Sequence, residues 1–183
     1  GRDRGGGLAL RSRSDEDTGQ HDQDGCGQHP HCVHTDVLPC DDGRMKAVSC
    51  VHGTLDVVDM PDPRPADRQL VLSVLRCGIC GSDLHAKDHA DELTEVMAEG
   101  GYHDFVRSDT PVVMGHEFCG VVAERGRKVG KEFKPGTPVV AFPLLRAHGG
   151  VHLTGLSPKA PGAFAEQVVA EAAMAFAVPN GLD

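Results

Sequence analysis

The chain has 183 residues, 39% of them hydrophobic, with no Trp, one Tyr and six Phe, and a formal net charge of −9. That length suits one ordinary domain with an aliphatic core, and the acidic balance argues against a nucleic-acid partner, which needs clustered Lys and Arg. Seven cysteines without a regular spacing exclude a fully paired disulfide scaffold and favour a reducing compartment. No apolar run reaches the ~18 residues of a membrane-spanning helix, and no secretory signal pattern opens the chain, so the cytoplasm is the default location.

Composition divides the chain near Met45. Residues 1–44 hold Gly-Gly-Gly at 5–7 and a polar run from Gly19 to Asp42, with almost no apolar periodicity. Such a segment cannot offset its ordering entropy by burial, and a disordered tail is expected. The tail carries His21, Cys26, His29, His31, Cys32, His34 and Cys40. Their spacing fits no closed zinc template, so biased composition is the simpler reading. Met45-Lys46-Ala47-Val48 resembles a natural start of the folded part, residues 45–183.

Beyond Met45 the signals are mostly strand and turn. Strands are expected at Lys46–Val51, Thr54–Asp59, Gln69–Leu75, Gly120–Glu124, Thr137–Phe142, Phe164–Ala170 and Met174–Val178. Pro61, Pro63 and Pro65 break the chain after the second, and Lys134-Pro135-Gly136 turns it before the fifth. Asp91–Ala98 is the best helix candidate, with acidic residues in its first turn. Short strands with Gly and Pro punctuation predict a mainly β domain with short helices, built as a barrel or sandwich.

Chemistry concentrates in two places: Cys77-Gly78-Ile79-Cys80-Gly81-Ser82-Asp83-Leu84-His85, and Gly115-His116-Glu117. A catalytic zinc takes about three N, S or O ligands and keeps one position open. Cys80 offers a thiolate and His116 an imidazole. Glu117 can give a carboxylate oxygen directly or sit just outside the ligand set. Asp83 is the candidate acceptor for the second N–H of His116, the partner that fixes a ligating tautomer. The Ser82 hydroxyl can reach a bound oxygen, and His85 can pass its proton to solvent. Taken singly these residues have plainer readings. Cys-x-x-Cys serves redox pairs and structural zinc sites, but no βαβ pattern and no second Cys-x-x-Cys accompany it. Cys77 reads as a small residue packed at a strand end, and Cys50 and Cys119 as buried.

Cys80-Gly-Ser-Asp-Leu-His85, Gly115-His116-Glu117 followed by Cys119-Gly-Val-Val, Phe133-Lys-Pro-Gly-Thr-Pro-Val-Val140 and Gly162-Ala-Phe-Ala-Glu-Gln-Val168 together resemble the zinc-dependent medium-chain alcohol dehydrogenases over residues 45–182. The resemblance implies the GroES-like β-barrel catalytic domain of that family. It implies Cys80 and His116 as ligands of a catalytic zinc, with Glu117 the neighbouring carboxylate. Ser82 and His85 become a proton relay, and Asp83 orients His116. The implied reaction is alcohol oxidation or carbonyl reduction on a small molecule, with hydride passing to NAD or NADP. The family's Rossmann domain is not found here: no Gly-x-Gly-x-x-Gly follows a strand, so a truncated product or fragment is expected. Arg146–Pro161 contains no cysteine, so the family's structural zinc is expected to be absent. Residues 86–110 look like a long loop, in which His89, Tyr102, His103 and Arg107 can shape a pocket. A homo-oligomer is possible for the full-length protein. The competing reading is a barrel that binds zinc without turnover.

Overall fold

In a computed structural model, residues 43–179 are described. The expected tail lies outside these residues except for Gly43 and Arg44, and Arg44 already opens the first strand. Ten strands and one long helix follow: β1 (Arg44–Val51), β2 (Thr54–Pro61), β3 (Gln69–Gly78), α1 (Gly81–Glu99), β4 (Val112–Val113), β5 (Glu117–Arg125), β6 (Pro138–Ala141), β7 (Leu144–Ala147), β8 (Gly150–Leu153), β9 (Gln167–Glu171) and β10 (Ala175–Ala177).

The strands form three antiparallel sheets, ordered β2-β1-β4, β10-β6-β5-β3-β9 and β7-β8. One chain segment stitches the first two sheets together. The Val48 N–H donates to the Phe164 carbonyl at 2.7 Å and the Glu166 N–H to the Lys46 carbonyl at 3.0 Å, after which β9 pairs with β3. A run that serves two sheets in turn curls them toward a barrel, as the sequence predicts.

Alternation builds the core. Along β5, Phe118, Gly120 and Val122 are buried and their neighbours are not, the period-2 pattern of a half-buried strand. Leu70 and Leu72 of β3, Val139 of β6 and Val168 of β9 meet Phe118 and Val122 inside. Each such burial is worth about 1.5–3 kcal/mol. A second core lies under α1, where Ala86 and Ala90 pack with Cys50, Phe105, Val112 and Met114.

Two sequence expectations change here. The helix begins at Gly81, ten residues before the expected start, and runs to Glu99. Its buried face is Asp83, Ala86, Ala90 and Thr94, a stripe at helical spacing whose two alanines and two polar residues carry little hydrophobic signal. The backbone leaves helical geometry once, at His89 (φ −134°, ψ 36°). Much of the loop expected at 86–110 is therefore helix. The hairpin of β7 and β8 was also not foreseen, because its strands have only four residues each.

Candidate metal centre

The first motif straddles a strand–helix junction. β3 ends at Gly78, Cys80 is the extended N-cap residue of α1 (φ −86°, ψ 152°), and Ser82, Asp83 and His85 lie in the helix's first two turns. Asp83 occupies the third helical position and reaches back, its Oδ2 accepting the Cys80 N–H at 2.9 Å. That bond satisfies a donor the helix leaves open, and it pins the cysteine backbone.

The second motif is brought to the first by β-pairing. In the β3–β5 ladder Gly78 stands opposite Glu117 and Cys77 opposite Phe118. Gly115 turns the chain into β5 at φ +92°, and a Cβ there would come within 2.6 Å of Phe164 Cδ1 and 2.8 Å of Cys77 Sγ. Only glycine accepts both the conformation and the crowding. Gly78 leaves room of another kind: a Cβ on it would lie 3.0 Å from Glu117 Oε2.

The result is a compact donor set. The ligand atoms of Cys80, His116 and Glu117 all lie within 4.8 Å of one another. Cys80 and His116 are half-buried and Glu117 is exposed, so the trio lines a wall open on one side. Asp83, only 2% exposed, stands behind it. Its Oδ1 accepts from His116 Nδ1 at 3.1 Å and from the Gly115 N–H at 3.3 Å. With the Nδ1 proton committed to that carboxylate, Nε2 carries the lone pair. Ser82 Oγ lies 3.1 Å from this Nε2 and donates to it. The positive end of the α1 dipole sits beside the trio and favours anionic ligands.

Cys77 has a different environment. It packs at the edge of the main core, and burial, followed by the charge of Asp83, pushes its thiol up to about 11. It is a neutral packing residue at neutral pH, as expected from its place at a strand end. Cys50 is buried and its thiol is also raised by burial, whereas Cys119 is only half-buried. All four described cysteines are free.

Five of the six sequence-predicted site residues converge: Cys80, Ser82, Asp83, His116 and Glu117. His85 stands apart. It is exposed, its ring lies against His89 with centroids 4.9 Å apart, and no hydrogen bond joins it to Ser82 among the described residues. The direct Ser82–His116 contact was not foreseen, since spacing along a chain does not say which side of a helix meets a distant histidine. Tyr102 packs on the second core and accepts the Leu153 N–H at 3.0 Å. Arg107 lines a small cavity with Cys50, Ala86 and Met114.

Residues 66–180 match the alcohol dehydrogenase GroES-like domain family. The chain is 34% identical over 139 residues to scyllo-inosose 3-dehydrogenase of Thermotoga maritima, covering 67% of this chain and 33% of that protein. It is 31% identical over 129 residues to (R,R)-butanediol dehydrogenase of Bacillus subtilis, covering 66% and 36%. Among solved structures it is similar to 2R,3R-butanediol dehydrogenase from B. subtilis, with TM-score 0.59, 29% identity and coverage of 76% of this chain and 42% of that one. It is also similar to a zinc-binding dehydrogenase from Sinorhizobium meliloti bound to NADP, with TM-score 0.59, 28% identity and coverage of 76% and 40%. The chain thus spans about a third of the length of the curated relatives it matches.

Proposed function

Because the chain belongs to the alcohol dehydrogenase GroES-like domain family, we propose that it is the catalytic domain of a zinc-dependent oxidoreductase that interconverts a small alcohol or polyol and its carbonyl compound with NAD or NADP. The observation that carries this reading is the convergence of Cys80, His116 and Glu117 donor atoms within 4.8 Å. One sulfur, one nitrogen and one oxygen donor suit zinc and leave a coordination position open. The tautomer held by Asp83 reserves the Nε2 lone pair of His116 for a ligand role, and the Ser82 hydroxyl that donates to it here must give way to the ion.

Cys80, His116 and Glu117 are the residues proposed to hold the ion, and Asp83 to orient His116. Bound zinc supplies Lewis-acid polarisation of the substrate oxygen, beside a nicotinamide that takes or returns the hydride. Ser82 holds the transferable proton at Oγ, on the exposed rim of the donor set. His85, one turn further along α1 and open to solvent, exchanges that proton with bulk water. The absence of a direct Ser82–His85 bond means that the transfer between them needs a bridging hydroxyl.

One catalytic zinc and no structural zinc are proposed, since residues 146–161 contain no cysteine. The nicotinamide is proposed to bind to parts of the whole protein beyond the matched third, because this sequence has no Gly-x-Gly-x-x-Gly. Among the described residues no helix is long and apolar enough to cross a membrane, and free thiols suit a cytoplasmic setting. An alcohol or carbonyl compound is the proposed partner, and association into homo-oligomers is left to the full-length protein.

The test is metal analysis of the purified chain beside Cys80→Ser and His116→Ala. Cobalt replaces zinc as a spectroscopic probe. A thiolate-to-cobalt charge-transfer band that disappears in Cys80→Ser, with one bound ion lost in each variant, supports the reading. Unchanged metal content and spectrum in both variants overturn it.

A further inference from the structure

We propose a second, separate divalent-metal site on helix α1, made by His85 and His89 with the Glu92 carboxylate beside it. Two histidines four residues apart on a helix lie over one another on the same face, a spacing that chelates zinc-class ions. Here their rings face each other with centroids 4.9 Å apart and planes tilted by 40°. The kink falls on His89 itself (φ −134°, ψ 36°), so this ring is positioned by a local departure from the helix.

His89 Nδ1 lies 3.6 Å from Glu92 Oε2, beyond hydrogen-bond length but within ion-pair reach. The carboxylate therefore acts on this ring through its charge and leaves either ring nitrogen available to a metal. Electrostatics favour a cation on balance: Asp88, Asp91, Glu92, Glu95 and Glu99 follow one another, against the single Lys87, which is paired with Asp88. Space is available too: an open cleft of about 550 Å³ lies beside the kink, its wall holding His89, Asp88 and Glu92 together with Lys87, while His85 stands outside it.

Imidazole donors select zinc, copper or nickel over magnesium and calcium. With two protein nitrogens and water completing the shell, the site is weaker than the Cys80–His116–Glu117 centre. Occupation would engage the imidazole of His85. Its consequence for turnover, an inhibition by excess zinc, rests on the relay role proposed above, whereas the site itself rests on the geometry alone.

The test is equilibrium dialysis of Zn²⁺ against the whole chain and four variants. His89 has a side chain 47% exposed, so His89→Ala leaves no hole in the core; far-UV circular dichroism checks the fold. The expected result is one Zn²⁺ fewer per chain in His89→Ala, with Glu92→Gln weakening that same ion about twofold to fivefold. Any ion held elsewhere, including by the His- and Cys-bearing N-terminal residues, is common to parent and variant and cancels. Cys80→Ser should remove a different ion, so that Cys80→Ser/His89→Ala loses two. An isotherm for His89→Ala that overlays the parent overturns the second site, whereas one unchanged for Cys80→Ser overturns the catalytic one.

Discussion

Asp83 Oδ1 lies 3.1 Å from His116 Nδ1 while its other oxygen accepts the Cys80 N–H at 2.9 Å. One buried carboxylate thus anchors two proposed ligand residues, one at a helix start and one at the entrance to a strand 36 positions later. It is the joint that keeps the donor set assembled.

Replacing Asp83 should therefore loosen metal before it abolishes the fold. Asp83→Asn keeps the size and one acceptor but no longer fixes the His116 tautomer, and zinc affinity should fall about 10–100-fold, read by competition with a chromophoric chelator. Asp83→Ala leaves the N–H groups of Cys80 and Gly115 without their acceptor, and urea unfolding should register a further loss of about 1–3 kcal/mol. Equal zinc affinity in parent and Asp83→Asn would remove Asp83 from the positioning role.

Gly115→Ala should be severe. The backbone sits at φ +92° and the new methyl would come within 2.6 Å of Phe164 Cδ1. Strain of this kind costs about 1–3 kcal/mol before the clash is counted, so the urea midpoint should drop sharply or the protein should fail to accumulate. A variant of near-parental stability would mean that the turn relaxes without cost.

Cys77 predicts a loss of stability in alkali. Its thiol is raised from 9.0 to about 11 in the fold, chiefly by burial. The unfolded chain ionises first as pH rises, so the neutral native thiol contributes fully below pH 9 and that contribution drains away between pH 9 and about 11. The loss should reach about 2 kcal/mol at most. Urea unfolding at pH 8 and pH 10.5 checks it: the drop should be smaller in Cys77→Ala than in the parent, and identical drops would refute the burial account.

Phe142 and Phe176 are 62% and 56% exposed and stack edge-on with centroids 6.4 Å apart, and Val140 pairs with Phe176 across the β6–β10 ladder. An apolar face this open invites self-association. Phe142→Ser/Phe176→Ser should change unfolding free energy by about 1 kcal/mol or less while lowering light scattering at high concentration. A large destabilisation would show that the pair belongs to the core.

Several elements could be read directly along the chain. β3, β5 and β9 are short runs rich in Val, with Leu in β3 and Phe118 in β5, bounded by turn residues, and such a run is a local property of a strand. The helix was legible only from Asp91, because its first half presents Gly81, Ser82 and Asp83 and buries two alanines. Nothing apolar marks that face, and only the packing of Ala86 and Ala90 on Met114 and Cys50 makes it a face. His85 shows the same limit: its residue type suggested a relay with Ser82, and only the structure shows that its ring lies against His89 with no direct bond to Ser82.

The sequence by itself determined the donor types and their order: thiol, hydroxyl, carboxylate and imidazole at 80, 82, 83 and 85, and imidazole and carboxylate at 116 and 117. Side-chain chemistry is a property of each residue and survives any fold. Tertiary structure decided which donors meet. The antiparallel pairing of β3 with β5, set opposite Gly78 at Glu117, and the positive φ of Gly115 carry His116 to Cys80. Long-range pairing depends on the burial of two strands against a common core, and that burial is not written in the motif that benefits from it.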